Sequence, residues 1–181
     1  VGSEMCIRDR YNIAYKYFNI LNMAMMIIVT PFWSACADAY TKKDFLWMKN
    51  VIEKMEMIWK LSICVLIIMI LVSSTFYDIW VGDSVKISLS LSVMVGVYIL
   101  VQNLCGIYIY MINGTSKIRL QLVVYLVSAF ISVPTMYFLC SKYGITVMLL
   151  VPISVCLIQA FVAKKQLTKI IRGTASGIWI K

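Results

Sequence analysis

Uncharged polar side chains recur at helical spacing inside otherwise apolar stretches of this 181-residue chain. The clearest series contains Asn103, Tyr110 and Asn113, which fall on one stripe of an α-helix because successive residues turn by about 100°. An amide near the middle of a bilayer is costly against lipid, so such a stripe must face protein or water. Amide and phenol groups at this depth can hydrogen-bond another helix or a polar solute.

Two other apolar stretches carry comparable polar stripes. One contains Gln121 and Tyr125, and another contains Asn22 and Trp33. If the three helices face each other, the stripes predict one shared cavity. Its candidate substrate-contacting residues carry amide or aromatic side chains and are Asn22, Trp33, Asn103, Tyr110, Asn113 and Gln121.

Close helix packing is the alternative explanation, because small and hydroxylated residues also let membrane helices approach and hydrogen-bond to each other. We prefer packing for the small residues Gly96, Gly106, Ser128 and Ser132. For the larger amides, cavity lining and packing both stay open. Gln102 lies beside the stripe rather than within it, and its role is left undecided.

Catalytic and metal chemistry have no sequence pattern here. The chain has no histidine, and its cysteines stand singly without CxxC spacing. These residues do not form a pattern typical of zinc, haem or a Cys/His nucleophile. No phosphate-binding glycine loop or GxSxG motif occurs either. We therefore expect no cofactor, no metal site and no enzymatic activity.

The elements that must position the polar stripes are membrane helices. Hydrophobic residues make up 62% of the chain and charged residues 14%, and each apolar stretch approaches the roughly 20 residues that cross a bilayer. The pattern predicts an all-α polytopic membrane protein, a bundle of about five transmembrane helices. The predicted spans are residues 17–37, 58–77, 87–112, 118–140 and 145–163.

A sixth element is predicted between the first two spans. In residues 41–57, Phe45, Met48 and Ile52 recur at helical spacing, while charged residues occupy much of the remainder. This pattern indicates an interfacial amphipathic helix lying on the membrane surface. The alternative is that the same segment extends the second membrane helix.

The loops alternate between cation-rich and cation-poor. Cations are frequent in residues 42–60, at Lys117 and Arg119, and in the tail from Lys164 onward, whereas the intervening loops carry one lysine each. By the positive-inside rule, the rich side and the C-terminus are cytoplasmic in a bacterial inner membrane. The net charge of +9 then indicates contact with anionic membrane lipid, and no basic, aromatic-interleaved patch points to nucleic acid.

The first ten residues, VGSEMCIRDR, do not fit this pattern. They resemble translated adaptor sequence joined to fragments assembled from environmental DNA, so residues 1–10 are predicted to be a non-native prefix and residues 11–181 the helical bundle. With five spans and a cytoplasmic C-terminus, the first helix starts outside. We therefore expect the native protein to contain further crossings upstream.

Three segments together resemble bacterial polysaccharide-biosynthesis flippases. The first is TPFWSACADAYTKKDFLWMKNVIEKMEMIWK at residues 30–60, with a Pro-aromatic-Trp-Ser helix end followed by a basic amphipathic segment. The others are FYDIWVGD at residues 76–83 and YIYMINGTSKIRLQL at residues 108–122. The resemblance covers nearly all of the chain after Arg10.

This resemblance implies the superfamily of O-antigen flippases, lipid II flippases and multidrug exporters, whose two helical lobes surround a central cavity. The chain would be most of the C-terminal lobe, and the N-terminal lobe would be missing. The implied substrate is an undecaprenyl-diphosphate-linked oligosaccharide used for surface polysaccharide or lipopolysaccharide synthesis. Alternatives are a drug or cation exporter of the same superfamily, a membrane-embedded glycan polymerase, and a small scaffold protein.

Overall fold

The computed structural model describes the backbone of residues 2–82 and 86–179 and the side chains of residues 7–82 and 86–179. Asp83, the last residue of the FYDIWVGD motif, lies outside these ranges. The described part is helical, without strands. Its elements are α1 (Gly2–Thr41), α2 (Phe45–Val81), α3 (Leu89–Thr115), α4 (Arg119–Tyr143), α5 (Ile145–Met148), α6 (Leu150–Ile171) and a 3₁₀ helix (Gly177–Trp179).

The prediction of an all-α membrane bundle is confirmed. Five helical stretches are long and apolar enough to cross a membrane, and each contains or closely matches one of the predicted spans. The short α5 and the longer α6 together form the fifth stretch, interrupted only at Leu149. The chain is therefore a multi-pass membrane protein.

The prediction of a separate amphipathic helix at residues 41–57 is wrong. The chain turns at residues 42–44, where Lys43 takes a φ of 57°, and Asp44 caps the next helix by accepting a hydrogen bond from the Trp47 amide at 3.0 Å. From Phe45 the helix runs without a break to Val81. The structure contains the alternative arrangement, in which this segment extends the second membrane helix.

Continuity of α2 has a simple cause in its sequence. No glycine or proline interrupts it, and the buried positions Met48, Val51 and Met55 continue at helical spacing into Ser62 and Leu66. One face therefore stays against the bundle throughout. At about 1.5 Å per residue, α2 is about 55 Å long, whereas the hydrocarbon core is about 30 Å thick, so part of α2 must project beyond it.

Helix α1 begins at Gly2, so the predicted prefix is helical and joins the first span without a break. This continuity describes the backbone conformation of residues 2–10. That these residues belong to a non-native prefix stays a prediction.

Helix α3 lies at the centre of the bundle and packs against α1, α2 and α6. Glycine allows its closest approach to α1. A Cβ atom at Gly114 would lie 3.0 Å from both Cys36 Cβ and the Trp33 carbonyl oxygen. Helix α4 differs from α3, because it has no buried residue and packs mainly on α5 and α6.

The three cation-rich segments lie at one end of the bundle. Lys164 Nζ of α6 donates to Glu56 Oε1 of α2 at 3.0 Å. Gln166 Nε2 of α6 donates to the carbonyl oxygen of Lys117, in the turn between α3 and α4, at 2.9 Å. The alternation of charge along the sequence thus corresponds to a separation in space.

A polar cleft among four helices

The largest concentration of the predicted polar residues is a cavity of about 240 Å³ between α1, α3, α4 and α6. We call it the central cleft. Helix α3 supplies most of its wall, and the other three helices close its sides. Its polar lining consists of Asn22, Tyr98, Gln102, Asn103, Tyr110 and Tyr125.

Asn103 is the most deeply placed of these residues. It lies near the midpoint of α3 and is only 5% exposed. Its Nδ2 atom has no hydrogen-bond partner among the described residues, and the same is true of the adjacent Gln102 Oε1. Buried polar groups are normally paired, because each unpaired one costs about 1–3 kcal/mol. Two neighbouring residues that line the cleft therefore each carry one buried polar atom without a partner among the described residues.

Asn22 and Tyr110 line the same cavity from α1 and α3. Asn22 Nδ2 donates to Asn19 Oδ1 at 3.0 Å. The Tyr110 ring meets Trp33 edge to face, with centroids 6.4 Å apart. Trp33 itself is 48% exposed and does not line the central cleft, so the structure places it behind Tyr110 rather than in the cavity.

For Gly106, the structure contradicts the preference for helix packing over cavity lining. A Cβ atom there would meet no neighbouring group within 4 Å, and Gly106 lines the central cleft. Its missing side chain therefore leaves space in the cavity. Gly96 does pack, because a Cβ atom there would lie 2.8 Å from Leu66 Cδ1.

Asn113 and Gln121 line a different cavity. This side groove, about 470 Å³, lies beside the first turns of α4 and also includes Leu122 and Tyr125. Gln121 Oε1 is buried without a partner, and the backbone oxygen of Gln121 accepts from Gln159 Nε2 of α6 at 3.5 Å. The prediction of one shared cavity is therefore wrong in part, since five of the six residues divide between two cavities and Trp33 lines neither. The reason is that α4 packs on α5 and α6, and among the described residues only Tyr125 of α4 reaches the central cleft.

Sequence reasoning undervalued Gln102 and omitted Tyr98. Gln102 is next to Asn103, and neighbouring positions on a helix point about 100° apart, whereas Tyr98 lies five positions before Asn103 and points about 140° away from it. The central cleft spans more than one stripe of α3. A prediction limited to one stripe therefore omits residues that line the cleft. The signal that was available is that Gln102, like Asn103, is a large amide at mid-span.

The central cleft offers uncharged hydrogen-bonding groups. Its described lining contains no charged side chain, and no group of three His, Cys, Asp or Glu residues is found among the described residues. Two thiols, Cys105 and Cys156, line it alongside the amides and phenols. This set can hold a neutral, hydroxyl-rich group.

Comparison of the chain with protein-family models gave no match, and comparisons with curated proteins and with solved structures gave none either.

Proposed function

We propose that this chain forms most of one lobe of a flippase that moves an undecaprenyl-diphosphate-linked oligosaccharide across the bacterial inner membrane. The observation that carries the proposal is the unpaired amide of Asn103 in the central cleft. A polar group kept unpaired at mid-membrane costs stability, and such residues are by default candidates for a functional site. A neutral donor and acceptor suit sugar hydroxyls.

A drug or cation exporter is the less favoured member of the same superfamily. A cationic substrate calls for a carboxylate in the cavity, and the described lining of the central cleft contains none. The diphosphate of the proposed substrate calls for cations, which this lining also lacks. In the proposal, those cations come from the other lobe or from the cation-rich end of the bundle.

The size of the central cleft supports a two-lobed arrangement. Its volume is about 240 Å³, which is below the roughly 300–1,000 Å³ of typical small-molecule sites. An oligosaccharide needs more space than this. We therefore infer that the cleft is one wall of a larger cavity, completed by an N-terminal lobe that is the chain's partner.

The orientation belongs to the same proposal. The end of the bundle that gathers the cation-rich segments would face the cytoplasm and its anionic lipids, by the positive-inside rule. The C-terminus would then be cytoplasmic.

The test is glycan export by the complete protein in a bacterium that lacks its own O-antigen flippase. Asn103→Leu should lower export at least tenfold while the amount of protein in the membrane stays unchanged. Asn50→Leu is the matched control, because Asn50 is an exposed amide of α2 outside the cleft, and it should export normally. Equal export by both variants at equal expression would assign Asn103 to packing and remove the main support for the proposal.

A further inference from the structure

A second concave surface lies at the cation-rich end of the bundle, on the outer side of α6. Its volume is about 520 Å³, and we call it the basic groove. It is lined by Phe161, Lys164, Lys165, Thr168, Lys169, Arg172 and Trp179.

The basic groove is held together by contacts of α6 with the tail. Gln166 is 1% exposed, and its Nε2 atom donates both to the Lys117 carbonyl oxygen at 2.9 Å and to the Trp179 carbonyl oxygen at 3.2 Å. A single buried amide thus fixes the 3₁₀ helix against α6. The tail can fold back because Gly173, just after the end of α6, takes a φ of 68°, a conformation that glycine adopts without a steric penalty.

Two lysines are positioned by aromatic rings. Lys169 Nζ lies 3.9 Å from the centroid of the Trp179 ring, and Lys165 Nζ lies 4.2 Å from that of Phe161. Cation–π contacts of this kind are attractive because the face of an aromatic ring carries partial negative charge. They hold the ammonium groups at the rim of the groove without neutralising them.

The charges of the basic groove are unbalanced. Its lining contains no carboxylate side chain in the part of the chain that the structure describes. Lys164 pairs with Glu56 at 3.0 Å on the side that faces α2. Among the described residues, Lys165, Lys169 and Arg172 have no ion pair with an acidic side chain. Within the described ranges, Lys165 and Lys169 therefore meet no carboxylate in the groove, while Arg172 also borders the neighbouring cavity that contains Glu53 and Glu56.

We propose that the basic groove binds the phosphate of an anionic phospholipid headgroup. The groove lies where a membrane-spanning helix leaves the apolar region, and basic pockets between helices at this level bind anionic headgroups. The exposed side chains of Leu157, Ile158 and Phe161 on α6 lie on the membrane side of the cations, where acyl chains would run. Trp179 has the interfacial position that tryptophan favours. This site is separate from the central cleft and does not depend on the flippase proposal.

The experiment measures the lipids that stay bound to the purified 181-residue chain. The protein is assembled in nanodiscs of equimolar phosphatidylglycerol and phosphatidylcholine, and native mass spectrometry gives the ratio of the two lipids retained. In the first variant, Lys165, Lys169 and Arg172 are each replaced by Gln. Its preference for phosphatidylglycerol should fall at least tenfold, since the variant removes the three cations that would contact one bound headgroup phosphate.

The matched control replaces Lys43, Lys54 and Lys60 by Gln. It removes the same charge from exposed residues outside the groove, and its preference for phosphatidylglycerol should fall no more than threefold. Equal losses in both triple variants would mean diffuse surface attraction and would overturn the proposal. Circular dichroism checks that each variant keeps its helical content.

Two further measurements keep the result decisive if the triple variant misfolds. Trp179→Ala keeps every cation but removes the ring that positions Lys169, so it should lower the preference for phosphatidylglycerol about threefold. An unchanged preference would contradict the proposal that the basic groove positions its cations for the headgroup. Inorganic phosphate at millimolar concentration should not displace bound phosphatidylglycerol. Displacement would show that the groove selects a soluble anion instead of a lipid.

Discussion

Tyr108 donates its hydroxyl hydrogen to Glu56 Oε1 at 2.6 Å, across 52 residues of sequence. Lys164 Nζ donates to the same oxygen at 3.0 Å and lies 5.5 Å from the centroid of the Tyr108 ring. One carboxylate therefore joins α2, α3 and α6 at the cation-rich end of the bundle. A hydrogen bond to a charged acceptor is stronger than one between neutral groups, so this junction should contribute measurably to stability.

We expect Tyr108→Phe to lower the free energy of unfolding by about 1–2 kcal/mol, because Glu56 keeps Lys164 but loses its shortest hydrogen bond. Reversible unfolding in mixed detergent micelles measures the change. Tyr110→Phe is the control and should change stability by less than about 0.5 kcal/mol. A Tyr108→Phe protein as stable as the parent would show that the junction contributes nothing.

A pair of glycine substitutions tests the packing of α3. Gly114→Ala should destabilise the chain by about 1–3 kcal/mol through overpacking, because its Cβ atom would be 3.0 Å from the Trp33 carbonyl oxygen and 3.2 Å from the Ala37 amide nitrogen. Gly106→Ala should be neutral or slightly stabilising, since its Cβ atom would enter open space and alanine is the better helix former. The same unfolding assay measures both. The opposite order of stabilities would contradict this geometry.

Asn103→Leu should stabilise the chain by about 1 kcal/mol, because it removes an unpaired buried amide and fills the position with an apolar group of similar size. Asn22→Leu should have the opposite sign, since it leaves Asn19 Oδ1 without its donor. Thermal unfolding in one detergent ranks the two variants. A destabilised Asn103→Leu protein would mean that the amide has a structural partner.

The proposed orientation predicts labelling from only one side. In a cysteine-free background, cysteine at Ser84 should react with a membrane-impermeant maleimide added outside intact cells, whereas cysteine at Ser116 should react only after the membrane is opened. Ser84 lies outside the described residues, and Ser116 is exposed in the turn between α3 and α4. The reverse pattern would invert the topology.

The helical spans were predictable because their signal is local: each is a long apolar stretch bounded by cations. The continuity of α2 was harder to predict. Its first half has the polar residues of an interfacial helix, but the buried series from Met48 to Leu66 keeps one phase across the supposed boundary. Such a phase match can be read from sequence only if both halves are tested as a single helix.

The candidate site was predicted less completely, for a reason of geometry. Helical periodicity places Asn103 and Tyr110 on one face of α3, and the structure places both in the central cleft. Periodicity does not determine which helices are neighbours, so it could not show that Gln121 and Asn103 line different cavities. Nor could composition show that Gly106 borders space while Gly114 touches backbone, because that difference depends on the partner helix.

The sparse packing of α4 gives the central cleft two unequal sides. Asn22, Asn103 and Tyr110 stand on α1 and α3, which Gly114 brings into backbone contact. Tyr125 stands on α4, which has no buried residue and follows α3 after a short turn at Ser116, where φ is 59°. The side of the cleft formed by α1 and α3 thus carries its amide groups, whereas the side formed by α4 contributes one exposed tyrosine.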